Sequence, residues 1–247
     1  MDGLHKRVGE ITKQDWPITI EVISHVDELL NASWIEAPDV ETKKRVAEMG
    51  TWFVGGFLTG LRGEEMLMIE LADTKHSLVQ LTHPVDPHFC FQVLGRTKGR
   101  QENGRHFEMP CIATTTGTGL KPGRWTRRLV KLLDNEGRST GRLFQRKFRV
   151  PRLKEFEEDF FKVLEMVQTT TELIEFTVNL REAAGIERTL RRGVTSHAQN
   201  MQVPRPLFDA INRWRKETNG RRDVTMVDHY SKLDSLKPTY LRFSKAL

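Results

Sequence analysis

The chain has 247 residues, of which 38% are hydrophobic and 29% charged, with a formal net charge of +6. That length buries a core without help from disulfides or a structural metal, and the composition is too apolar for a disordered chain. Two cysteines, Cys90 and Cys111, exclude a disulfide scaffold and point to a reducing compartment. No run approaches the roughly 18 apolar residues that span a bilayer, and the first residues, MDGLHKRVGEITKQDW, hold no apolar signal core, so the expectation is a chain that is neither secreted nor membrane-bound.

In chain order, residues 1 to about 20 read as irregular, and Val22 to Leu30 reads as a helix ending near Asn31. Asp39 or Thr42 caps the next helix, which carries Val46, Met49, Trp52, Phe53 and Phe57 at helical spacing and stops near Gly60. A short helix over Glu64 to Leu71 follows. Ser77 to Leu81, His88 to Leu94 and His106 to Ala113 alternate in the manner of strands, which predicts a small antiparallel sheet of three strands. The last two are joined by a Gly-rich basic connection, Gly95 to Arg105.

Helices return after Pro122, first over Arg124 to Leu133. Leu153 to Val167 sets Leu153, Phe156, Phe160, Val163, Leu164 and Val167 on one stripe. A helix from about Glu187 to Met201 turns Leu190, Val194, Ala198 and Met201 inward. Pro204 opens another, with Leu207, Ile211 and Trp214 at i, i+4 and i+7. A polar loop, a short helix over Thr225 to Leu233 and a terminal helix from Pro238 complete the chain. The pattern predicts an α+β fold, mainly helical with a small three-stranded antiparallel sheet. Residues 1–40 form an N-terminal segment, and no linker breaks residues 41–247.

Charge is distributed in blocks. From Lys121 to Arg152 there are eleven basic residues and two acidic ones, and a second basic region runs from Arg188 to Arg222. Between them lie Glu155, Glu157, Glu158, Asp159, Glu165, Glu172 and Glu175. A basic face suits phosphate backbones, because each neutralised phosphate releases counterions. The plain alternative is a solvated surface with scattered arginines.

Four weak signals stand out. Gly60-Leu61-Arg62-Gly63-Glu64-Glu65 ends an apolar helix, where an arginine held by Glu65 can face a phosphate with its planar, permanently charged fork. The bland reading is a helix-end arginine paired with a surface glutamate. Thr189-Leu190-Arg191-Arg192-Gly193 offers a second clamp, or simply a basic helix face. Lys98, in the hairpin connection with Arg96 and Arg100, can donate a proton to a leaving oxygen, or is an ordinary charged turn. Tyr230 is one of two tyrosines. As a nucleophile it needs cations nearby to favour its phenolate, and its bland reading is a half-buried ring with a satisfied hydroxyl. His83, His88, Cys90, His106 and Cys111 fall in one region, but in no defensible zinc spacing. A third class, a basic helical interaction domain, predicts that Arg62, Arg191 and Tyr230 lie far apart.

The order of these motifs resembles the catalytic domain of tyrosine recombinases, the phage-integrase superfamily, over about residues 41–247. Thr59-Gly60-Leu61-Arg62-Gly63-Glu64-Glu65 is similar to that family's first arginine motif, Leu190-Arg191-Arg192-Gly193 to its His-x-x-Arg motif, and Asn212-Arg213-Trp214 to the position holding His or Trp. Tyr230 falls at the place of the nucleophile. Asn-Arg-Trp-Arg and Asp-His-Tyr-Ser also resemble recombinases of Crypton-type mobile elements. The resemblance implies a DNA breaking-rejoining fold and cleavage of double-stranded DNA through a 3′-phosphotyrosyl link, as in site-specific recombination or integration, with no metal or cofactor. Arg62 and Arg191 would neutralise the phosphate, Lys98 would protonate the leaving oxygen, Trp214 would contact the phosphate, and Tyr230 would attack. Glu65 and Arg188 are supporting residues, and Arg96, Arg100, Arg124, Arg127, Arg128 and Arg192 would contact DNA.

The resemblance also implies self-association on DNA, in the nucleus of a eukaryote or otherwise the cytoplasm. Three departures bear on it, one of them a Trp214-to-Tyr230 gap longer than in compact integrases, which a loop must absorb. Arg188 stands where the family has histidine, which leaves a DNA-binding remnant without strand cleavage as the alternative. Residues 1–40 are too short for the family's helical core-binding domain, as in a fragment or truncated copy. Arg192 competes with Arg191 for the second clamp.

Overall fold

The structure, a computed structural model, describes residues 16–81, 87–94, 106–145, 149, 151–203 and 241–247. Lys98, Arg96 and Arg100, the helix predicted from Pro204 with Trp214, and the stretch with Tyr230 lie outside the described residues.

Helix α1, Ile20–Glu36, starts where the Thr19 hydroxyl accepts the Val22 N–H at 3.4 Å. Its stripe of Ile20, Ile23, Val26 and Leu30 is buried. This helix lies in the segment set apart by sequence, yet it packs on α2, α7 and α9 and shares their core. Helix α2, Val40–Gly50, is capped by Asp39, whose carboxylate accepts the Thr42 N–H at 2.7 Å and the Thr42 hydroxyl at 3.0 Å. It runs on through a π-helical segment, Thr51–Gly55, into α3, Gly56–Thr59. Gly60 ends the run in the left-handed region, φ 60°, where a side chain is costly. Two short helices follow, α4, Gly63–Leu67, and α5, Leu71–Val79.

The described sheet has two antiparallel strands, β1, His88–Leu94, and β2, His106–Ile112, with Phe89 opposite Cys111 and Leu94 opposite His106. The strand predicted over Ser77 to Leu81 is not one. Ser77 and Val79 belong to α5, which buries Leu71, Thr74 and Leu78 at helical spacing. Five residues fit both periods, and packing chose the helical one. The free edge of β1 is met by the link between α4 and α5: Glu70 N–H donates to the Gln92 carbonyl at 2.8 Å and Leu94 N–H to that of Met68 at 2.9 Å.

Helix α6, Pro122–Asn135, lies against α2, and α7, Lys154–Thr170, lays Phe156 and Phe160 on the long helical run. Trp52 stacks on Phe156 with centroids 5.2 Å apart, and Phe53 on Phe160 at 4.8 Å. A short helix, α8, Leu180–Ala183, leads to α9, Thr189–Asn200. Leu190, Val194 and Ala198 face inward as expected, but Met201 lies past the helix end and is 45% exposed. Residues 241–246 are helical, and the Lys245 and Leu247 carbonyls accept the Gly117 and Thr118 N–H groups at 2.6 and 2.8 Å.

Candidate functional site: two arginine motifs around one carboxylate

Because Gly60 turns the chain out of α3, Arg62 is extended and α4 begins at the next residue. Glu65, in the first turn of α4, reaches back, and its Oε2 accepts the Arg62 backbone N–H at 2.8 Å. The arginine is fixed through its main chain, while its half-buried guanidinium has no hydrogen-bond or ion-pair partner among the described residues. Glu65 therefore orients the turn and not the Arg62 side chain directly.

The turn rests on the lead-in to α9. Gly63 N–H donates to the Glu187 carbonyl at 3.1 Å. A Cβ on Gly63 would lie 2.8 Å from Leu153 Cδ1 and 3.0 Å from the Ile186 carbonyl oxygen, so only glycine allows this approach. One helical turn further along α9, Arg191 points back at the same place. Its Nη1 lies 3.8 Å from Glu65 Oε2 and donates to the Gly60 carbonyl at 3.4 Å. Arg191 is 6% exposed and Glu65 7%. Two motifs far apart in the chain thus share one carboxylate. Of the adjacent arginines, it is Arg191 that meets the Arg62 turn, and Arg192 is half-buried beside it. Arg188, the residue before α9, is half-exposed with its Nε 3.7 Å from Glu187.

The arginines of α6 are placed differently. Arg124 Nη2 donates to both carboxylate oxygens of Asp27 at 2.8 Å, and the Trp125 indole N–H donates to the same group. Arg128 donates to Asn31 at 3.1 Å and lies between the rings of Trp34 and Trp125, at 4.6 and 4.9 Å. These two tie α6 to α1, and Arg127 alone of the three is exposed. Asp27 and Asn31 were missed by sequence reasoning. The available signal was an aspartate inside the apolar stripe of α1, which is costly to bury unless it is paired.

Cys90 and Cys111 are buried in adjacent strands with alternate facing, Cys90 opposite Pro110 and Cys111 opposite Phe89. Burial pushes the Cys111 thiol far above its usual value and keeps it protonated. Among the described residues no three His, Cys, Asp or Glu side chains gather as a metal site, and no helix is long and apolar enough to cross a membrane. No protein-family model matches the chain, and no curated protein does.

Proposed function

We propose that this protein is a DNA strand transferase of the tyrosine-recombinase type. The observation that carries the reading is the meeting of the Arg62 turn with Arg191 across Glu65: a buried, paired guanidinium at the turn that bears a half-buried arginine whose side chain has no partner among the described residues. A phosphate in reach of both would gain two planar donors, the Arg191 one already held by Glu65. Such donors are worth most where water is excluded and charge builds on non-bridging oxygens.

In this mechanism Tyr230 gives up its phenol proton to solvent, the phenolate oxygen attacks phosphorus and the bond to the 5′ oxygen breaks. Lys98 gives its proton to that oxygen, leaving a 5′-hydroxyl and a 3′-phosphotyrosyl link. The bond energy is kept, and the reverse step reseals the strand. Trp214 contacts the phosphate. Duplex DNA nicked close to the scissile bond tests this, because loss of the short fragment prevents resealing. The wild-type chain should become covalently attached and the Tyr230→Phe variant should not. Absence of any adduct from a chain that binds the duplex overturns the enzyme reading.

That outcome is what the second reading predicts. Arg188 replaces a histidine that can release a proton with a guanidinium that cannot, which favours a recombinase remnant that binds DNA without cutting it. Binding by wild type and Tyr230→Phe would then be equal and governed by salt alone.

A further inference from the structure

We infer that the DNA backbone reaches the Arg62 turn across Arg152 and Lys154, at the start of α7, rather than across the face of α6. This rests on the reading above and assigns the surface that the same site presents to duplex DNA. Leu153 is the residue whose side chain lies against Gly63, so its chain neighbours Arg152 and Lys154 border the turn that bears Arg62. Both are exposed. Among the described residues neither the Arg152 guanidinium nor the Lys154 ammonium has an ion-pair partner.

The nearest acid along the chain is already engaged. Glu155 accepts the Arg152 backbone N–H at 3.0 Å, and its carboxylate is held by Arg149 at 2.7 Å. The lead-in to α9 borders the same turn through Ile186 and Glu187 and adds Arg188, 51% exposed, with Glu187 beside it. The turn itself holds Glu64, exposed next to Arg62, and the buried Glu65, and Glu157 follows in the first turn of α7. Cations therefore exceed acids around Arg62, whereas Arg124 and Arg128 on α6 are occupied by Asp27, Asn31 and two tryptophans. A backbone of regularly spaced phosphates gains most where ammonium and guanidinium groups are already free of protein carboxylates.

The test is duplex-DNA binding, read by fluorescence anisotropy across a salt series, for wild type and two double variants of equal charge change. Arg152→Ala with Lys154→Ala should weaken binding by about tenfold or more at low salt. It should also flatten the slope of log K against log salt by about 2, since each phosphate contact contributes about 0.9. Lys121→Ala with Lys131→Ala, exposed positions at the cap of α6 and on it, should stay within about twofold of wild type and keep its slope. Thermal melting of each variant confirms the fold, which exposed positions tolerate. Equal effects of the two pairs, or none from the first, overturn the assigned surface while leaving DNA binding itself intact. A wild-type chain that binds no duplex overturns the proposed function as well.

Discussion

Arg191 has lost nearly all contact with water, and a guanidinium cannot shed its proton to escape the cost. The Glu65 carboxylate and the Gly60 carbonyl help to hold it. Removing the carboxylate strips this buried charge of the acid that lies 3.8 Å away. Glu65→Ala should therefore lower stability by about 3 kcal/mol, seen as an earlier urea midpoint with unchanged slope. Arg62→Ala is the contrasting case. Its side chain holds nothing together among the described residues, so the melting point should hold while DNA cleavage loses about 3 kcal/mol of transition-state stabilisation, a rate loss of more than a hundredfold. An unchanged cleavage rate contradicts the clamp. The sequence marked Arg62 and Glu65 through their spacing and named Arg191 as the second clamp, but spacing alone left Arg192 as a competitor. Neighbours on a helix differ by about 100° of rotation, and only the phase of α9 against α3 and α4 decides which faces the turn.

At the scale of elements, the placement of α9 depends on close approach. Gly193 lies where a Cβ would collide with the Ile18 carbonyl oxygen and come 2.9 Å from the Phe57 ring. Gly193→Ala must push α9 off α3 and carry Arg191 with it. The expected result is a destabilisation of about 1–3 kcal/mol in a melt, with cleavage lost beyond what stability explains. The far end of α9 holds a small strain. Gln202 has φ 55°, and the Val203 N–H donates to the Ala198 carbonyl at 3.0 Å, the arrangement that favours glycine. Gln202→Gly should stabilise the chain by about 1 kcal/mol, visible as a higher melting temperature. Long stripes made α7 and the helix capped by Asp39 legible from sequence. The stretch from Ser77 to Leu81 was not, because alternation over five residues fits a helix end equally well, and the strand partner of β1 came instead from the link between α4 and α5.

Over the whole molecule, residues 16–36 belong to the same core as the site, since α1 lies between α2, α7 and α9. Sequence could not show this. The short apolar run at its start looks alike in a linker and in a core helix, and the evidence of attachment is tertiary: the ion pair from Asp27 to Arg124 and the contact of Ile18 with Gly193. One consequence is a dependence on pH. His197, on α9, has its pKa lowered from 6.5 by burial, against a weaker pull upward from Glu21 on α1. The unfolded chain takes up a proton that the folded chain refuses, so this contribution to stability is complete above pH 6.5 and falls away as the pH drops below it. His197→Gln should flatten the fall in melting temperature between about pH 6.5 and 5. The basic and acidic blocks also acquire places: α7 carries acids from its first turn onward, and Arg152 before the helix and Lys154 at its first position flank Leu153, which lies against the Arg62 turn.

Everything proposed for the reaction requires that the phenol of Tyr230 act on the phosphate held by Arg62 and Arg191. The most direct measurement is to digest the covalent DNA adduct and identify the DNA-linked peptide by mass spectrometry. The account predicts phosphotyrosine linkage at Tyr230, lost in Arg191→Ala. Linkage through Tyr240 or a serine, or an adduct that forms equally well without Arg191, would contradict it.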